Sequence, residues 1–374
     1  VRDVLGFLGM DLRSALRARG ATVWLVLSLG ALALTLALAP GATALAGTWF
    51  AWVVGGLALL LSAAGGAILP GDRLEGRAAW LATLGPSPAR RRAGAALASA
   101  ALAVGGALAA ALTVGLLAPP LHLARETLAA RPVSLPRVLS FRDLAAGGAP
   151  RRITLAVGAA LESPARLELE TRPRVGRSGT LSAGPVTVAY AAGGEVGSVE
   201  VPWRGRLVVP LVAGTQQVDL DLVAGDQDLL LVRGWVLGAP RPFLLSWLWA
   251  GVLLGLAAAC MAPLAVALSR VTSGPTAAGA AVVVVLVAAM RSVLPVAALD
   301  SAPGAIHQIA RTILELALAL APDLSGLSAA AEPAAGRALG PACLAALAPL
   351  LPHTLAWTLL LLTPGLAGPR EEQA

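Results

Sequence analysis

Residues 243–269 read FLLSWLWAGVLLGLAAACMAPLAVALS, without one formal charge. At about 1.5 Å of rise per residue a helix of this length reaches about 40 Å, more than the ~30 Å hydrocarbon layer of a bilayer. The rest of the chain has the same character. Of 374 residues, 57% are hydrophobic and only 13% charged, with a mean hydropathy of +0.77; an ordinary globular chain carries about a quarter charged residues. Comparable windows occur at 21–41, 47–70, 93–118, 276–298 and 342–364. The expectation is a polytopic α-helical membrane protein with about six transmembrane helices. Ahead of them, Leu5, Leu8, Leu12 and Leu16 share a helical face while Asp11, Arg13 and Arg17 occupy others, which predicts an interfacial amphipathic helix over 1–20 that is retained on the cytoplasmic side.

Residues 119–242 are of another kind. Val218, Leu220 and Leu222 alternate with Gln217, Asp219 and Asp221, and similar alternation marks Ile153 to Val157, Leu167 to Leu169 and Val186 to Tyr190. A period of two between Gly, Pro and Ser clusters reads as antiparallel strands. With 206–212 and 228–236 this gives six or seven strands, enough for a β-sandwich-like domain inserted between spans three and four. The proline-rich stretch 119–150 reads as a connector with room for a short helix. The resulting organisation is spans one to three within 21–118, a connector and β-domain over 119–242, spans four to six within 243–364, and a tail at 365–374. Between spans five and six, Ile306, Ile309, Ile313, Leu316 and Leu320 form one stripe before Pro322, so 304–340 is expected to be an amphipathic, re-entrant segment at the outer surface.

Charge fixes the orientation. The net charge is +7 and all 28 basic residues are arginine. With the N-terminus inside, Arg2, Arg13, Arg17, Arg19, Arg73, Arg77, Arg90, Arg91, Arg92, Arg270 and Arg370 all fall in cytoplasmic segments, while the short outer segments hold Arg311 and Arg337. This asymmetry follows the positive-inside rule, places both termini in the cytoplasm and the β-domain outside, and explains the basic balance without nucleic acid.

The same composition excludes several chemistries. Without lysine there is no Walker A phosphate loop and no Schiff-base catalysis, so the chain is not its own ATPase. His122, His307 and His353 have no metal-type partner at i+3 or i+4, and Cys260 and Cys343 lie in apolar stretches without zinc spacing. Asp219 and Asp221 share one strand face, which in an alternating pattern is the wet face. Arg291 lies near the outer end of span five, where it can snorkel. No catalytic, cofactor or metal residue emerges, and the chain reads as a non-enzyme.

The loop between spans two and three carries the most information. It runs Gly71-Asp72-Arg73-Leu74-Glu75-Gly76-Arg77 through Leu81, Leu84-Gly85-Pro86 and Arg90-Arg91-Arg92. An acidic-Gly start, a short apolar helix, a proline break and then basic residues entering a span resembles the permease subunits of type-2 ABC exporters, through Asp72, Gly76, Leu81 or Leu84, Pro86 or Pro88, and Arg90. The resemblance implies that 71–92 is a coupling helix docking on a separate ABC ATPase subunit, with Arg73, Glu75, Gly76, Arg77, Leu81 and Leu84 at the contact. It also implies a second permease copy or paralogue, ATP bound on the partner rather than on this chain, and the bacterial inner (cytoplasmic) membrane as location. The inserted β-domain departs from the family pattern, in which that position is a short loop. The alternative from the residues alone is a non-transporting, membrane-anchored envelope protein that displays a β-sandwich binding domain.

Overall fold

A computed structural model describes residues 47, 50–59, 87–117, 127–133, 135, 139–140, 152–158, 165–173, 186–201, 206–222, 229–272, 274–290, 308, 312 and 321–363. The chain divides into two compact units, Val1–Arg125 with Phe243–Ala374, and Glu126–Pro242.

The first unit is helical. A π-helical turn, Phe50–Val54, runs on as helix to residue 59, followed by α1 (Pro88–Leu117), α2 (Phe243–Val271) and α3 (Gly274–Met290). Two 3-10 segments, Ser325–Ala335 and Pro341–Leu350, then lead into α4 (Leu351–Leu362). The central helix is α2, which packs against α1, α3, α4 and both 3-10 segments. Its Trp247 is buried and meets Phe50 edge-on, with ring centroids 4.6 Å apart.

Small residues make the main contact. α1 buries Ala95, Ser99, Ala103, Ala107, Ala111 and Gly115, one every four residues, which places them along a single stripe. On the facing helix an added Cβ at Gly251 would lie 2.6 Å from Ala111 Cβ, and one at Gly255 would lie 2.9 Å from Val104 Cα. The two backbones therefore approach closely and run antiparallel. Large apolar side chains take the opposite position. Leu97, Leu112, Leu116 and Leu117 of α1, and Leu351, Leu355, Leu359 and Leu362 of α4, are exposed. A soluble helix pair would place leucines inside and polar groups outside; small residues inside and leucines outside is the arrangement of helices packed in lipid.

Among the described residues three helices are long and apolar enough to cross a membrane: Pro88–Leu117, Phe243–Arg270 and Pro341–Leu362. The expectation of six transmembrane helices is corrected by this count. Hydropathy windows register composition, and in a chain this rich in Ala, Gly and Leu they register it whatever the backbone does. The described part of α3, Gly274–Met290, is 17 residues long, about 26 Å at 1.5 Å per residue. Residues 50–54 of the second window are π-helical, and the first 10 residues of the third apolar helix are 3-10. The expected span 21–41, the helix over 1–20 and the tail 365–374 lie outside the described residues, as does Arg291.

Among the described residues the second unit holds nine strands: β1 (Thr127–Val133), β2 (Leu139–Ser140), β3 (Arg152–Ala156), β4 (Ala165–Pro173), β5 (Val186–Ala192), β6 (Glu195–Val201), β7 (Arg206–Leu211), β8 (Gln217–Leu222) and β9 (Leu229–Arg241). One sheet runs β1-β9-β4-β7 with β2 also on β9, and the other runs β3-β8-β5-β6. Their pairings are antiparallel. Leu167, Leu169, Leu207 and Val209 of the first sheet share one core with Ile153, Leu155, Val188, Val218 and Leu220 of the second. The β5–β6 hairpin turns on Gly193 and Gly194, with φ of 58° and 91°, the positive pair that a two-residue hairpin turn demands. Residues 119–150 contain strands β1 and β2 where a connector with a short helix was expected. Pro132 sits inside β1 opposite Trp235.

The chain enters and leaves this unit through paired strands. Thr127 is in register with Arg241, and its Oγ1 donates to the Arg241 carbonyl at 2.7 Å. An insert closed at its neck is built to fold without its flanks. Expressed alone, residues 126–242 should give a strand-rich circular dichroism spectrum and one cooperative melt; a featureless, non-cooperative spectrum would contradict that independence.

Candidate functional site at the arginine end of the helices

The coupling residues expected from sequence, Arg73, Glu75, Gly76, Arg77, Leu81 and Leu84, lie outside the described residues. The described residues resume at Ser87, near the end of that loop. Ser87 caps α1: its Oγ accepts from the Arg90 N–H at 3.4 Å, and its carbonyl accepts from the N–H groups of Arg90 and Arg91 at 2.9 and 3.2 Å. Pro88 follows at the first helical position, where a missing N–H costs nothing.

Arg90, Arg91 and Arg92 then fill the first turn, which has no acidic residue. Cations at this end oppose the helix dipole, each at about 0.3–1 kcal/mol when exposed. The placement therefore serves something other than helix stability. Arg91 and Arg92 are buried, and Arg92 Nε donates to the Pro88 carbonyl at 3.2 Å.

The same level of the unit holds Arg270. Ala95 and Ala96 of α1 cluster with Val266 and Ala267 of α2 and Leu361 of α4. One turn further out on α1 and α2 come Arg91 with Arg92, and Arg270. Arg270 is 6% exposed. Its Nη1 donates to the carbonyls of Leu360 and Leu361 at 3.0 and 3.5 Å, in the last turn of α4, where carbonyls have no partner within the helix. A single guanidinium thus stands at the negative ends of both α2 and α4. Sequence reading counts Arg270 only as a topogenic charge. A tether to a helix ninety residues onward has no local signal.

Other features resolve into structure. On the second sheet, Arg152 Nη2 meets Asp221 Oδ2 at 3.0 Å and Thr154 Oγ1 donates to Asp219 Oδ1 at 2.6 Å. The hydrogen bond and charge of Asp221 hold Arg152 above its ordinary pKa, and the pair is exposed. In the 3-10 region Arg337 pairs with Glu332 at 2.6 Å and Asp323 accepts from the Ser325 N–H at 2.9 Å, at the start of the first 3-10 segment. Among the described residues no three His, Cys, Asp or Glu side chains gather as a metal set. No protein-family model matches the chain, and no curated protein and no solved structure matches it.

Proposed function

We propose that the chain is the membrane subunit of an ATP-driven exporter, taking its energy from a separate ATPase docked on the cytoplasmic loop 71–92. The observation that carries this reading is mechanical continuity at the end of that loop. Its last residues, Ser87 to Arg92, are a capped helix start rather than a free linker, and α1 is packed along its length on α2 through small residues. At the same level Arg270 joins α2 to α4. A displacement of the loop would thus reach three helices together, as a coupling element requires. This chain supplies no catalysis; ATP binds on the partner, and a second permease copy or paralogue would complete the pathway.

Leu81 and Leu84 are assigned as the apolar anchors and Arg73, Glu75 and Arg77 as rim charges. Purifying the wild-type chain from its own cells should bring down a Walker-motif subunit. Replacing Leu81 and Leu84 together by Asp should detach it, since unpaired carboxylates buried in a protein contact each cost several kcal/mol. Retention of the ATPase by the double variant would overturn the assignment of the contact. Failure of the wild-type chain to capture any ATPase would favour the second reading, a membrane anchor for a binding domain, which the closed neck of the β-unit also supports.

A further inference from the structure

We propose that the Nε–Nη2 edge of Arg270 binds a phosphate-bearing anion, a lipid headgroup phosphate or free phosphate, at the common end of α1, α2 and α4. Nη1 of this buried side chain is engaged by the two carbonyls of α4, whereas Nε and Nη2 are buried and meet no acceptor. A guanidinium cannot shed its proton to relieve that situation, and a buried charged donor left without an acceptor is unstable. The edge left over is the one that matters. Nε and Nη2 present two parallel N–H groups, the fork that phosphate and carboxylate oxygens accept together.

The surroundings choose between those two acceptors. The contacts of Ala95 and Ala96 with Val266, Ala267 and Leu361 set Arg270 level with the start of α1. The positive dipole end of that 30-residue helix favours an anion. No Asp or Glu occurs in the first turn of α1 or the last turns of α2 and α4, so these helices do not provide the counter-ion. They are also the three helices of membrane-spanning length. Their shared end lies at headgroup depth, where phosphate is the abundant anion. The inference rests on the membrane reading of these helices and is independent of the ATPase.

The test uses the full chain in mild detergent. Thermal unfolding is followed with added phosphatidylglycerol, with the diacylglycerol of the same chains, and with inorganic phosphate. Phosphatidylglycerol should raise the wild-type Tm by several degrees where diacylglycerol does not, and Arg270→Gln should abolish most of that difference. Because Arg270→Gln also loses the α4 tether, Arg270→Lys provides the second measurement: it keeps the charge and loses the fork. Native mass spectrometry should then find a phospholipid retained on the wild type and largely lost from Arg270→Lys. A rise produced by inorganic phosphate alone, and lost in Arg270→Gln, would support the site and assign it to free phosphate. Equal responses in wild type and both variants, or no response of the wild type to either probe, would overturn the proposal. Resistance of the wild type to carbonate extraction from membranes is scored in parallel, so a failure of the membrane reading is seen separately.

Discussion

Replacing Gly251 by leucine should separate α1 from α2 and leave little folded helical unit. A Cβ at this position already lies 2.6 Å from Ala111 Cβ and 3.0 Å from the Ala107 carbonyl oxygen. The second contact is backbone, so no rotamer change relieves it. Overpacking of a close-packed core costs about 1–3 kcal/mol. Four carbons forced between two backbones in contact should exceed that range, because the whole helix must move. Gly255→Leu should behave alike, with Val104 Cα at 2.9 Å. Gly105 of the same α1 is the control: nothing lies within 4 Å of its Cβ position, and the residue is exposed. Gly105→Ala should be neutral or stabilise the helix by up to ~1 kcal/mol, the propensity gain of Ala over Gly. Unfolding in detergent, with far-ultraviolet circular dichroism as the readout, separates these outcomes. Equal stability of the Gly251 and Gly105 variants would refute the small-residue interface.

The same stripe shows why the helical half was harder to read than the β half. Ala, Gly and Leu all count as apolar in a hydropathy window, yet they do opposite things here: Ala107 and Ala111 touch Gly251, whereas Leu112 and Leu116 face outward. Averaging over a window erases that difference and inflates the number of spans. The four-residue recurrence from Ala95 to Gly115 was available in the sequence as a period, and only a period reveals it. In the β-unit the contrast is between apolar and charged groups, so it survives any averaging. Val218 and Leu220 are fully buried while Asp219 and Asp221 pair with Thr154 and Arg152 on the wet face. Strand β1 was missed because Pro132, which has no N–H to donate to a ladder, argues against a strand in a reading of the sequence. Arg270 was missed as a site for a different reason: its role depends on carbonyls of Leu360 and Leu361 that no local pattern connects to it.

Two cysteines, introduced separately, should be labelled from opposite sides of the membrane. The positions are Arg90 at the start of α1 and Val196 in the β5–β6 hairpin, both exposed, in a chain whose Cys260 and Cys343 are changed to Ala. α1 lies between them in sequence, and it is one of the three helices of spanning length. A membrane-impermeant maleimide applied to intact cells should modify Val196→Cys and not Arg90→Cys; inside-out vesicles should reverse the result. The expected effect is all-or-none, because clustered arginines such as those at 90–92 resist translocation. Labelling of both positions from the same side would mean that α1 does not cross. Labelling of Arg90→Cys from outside alone would place the loop 71–92 where no cytoplasmic ATPase can reach it. The exporter reading would then fall and the anchor reading would take its place, whereas the phosphate site at Arg270 would persist in the opposite leaflet, since its chemistry depends on headgroups rather than on sidedness.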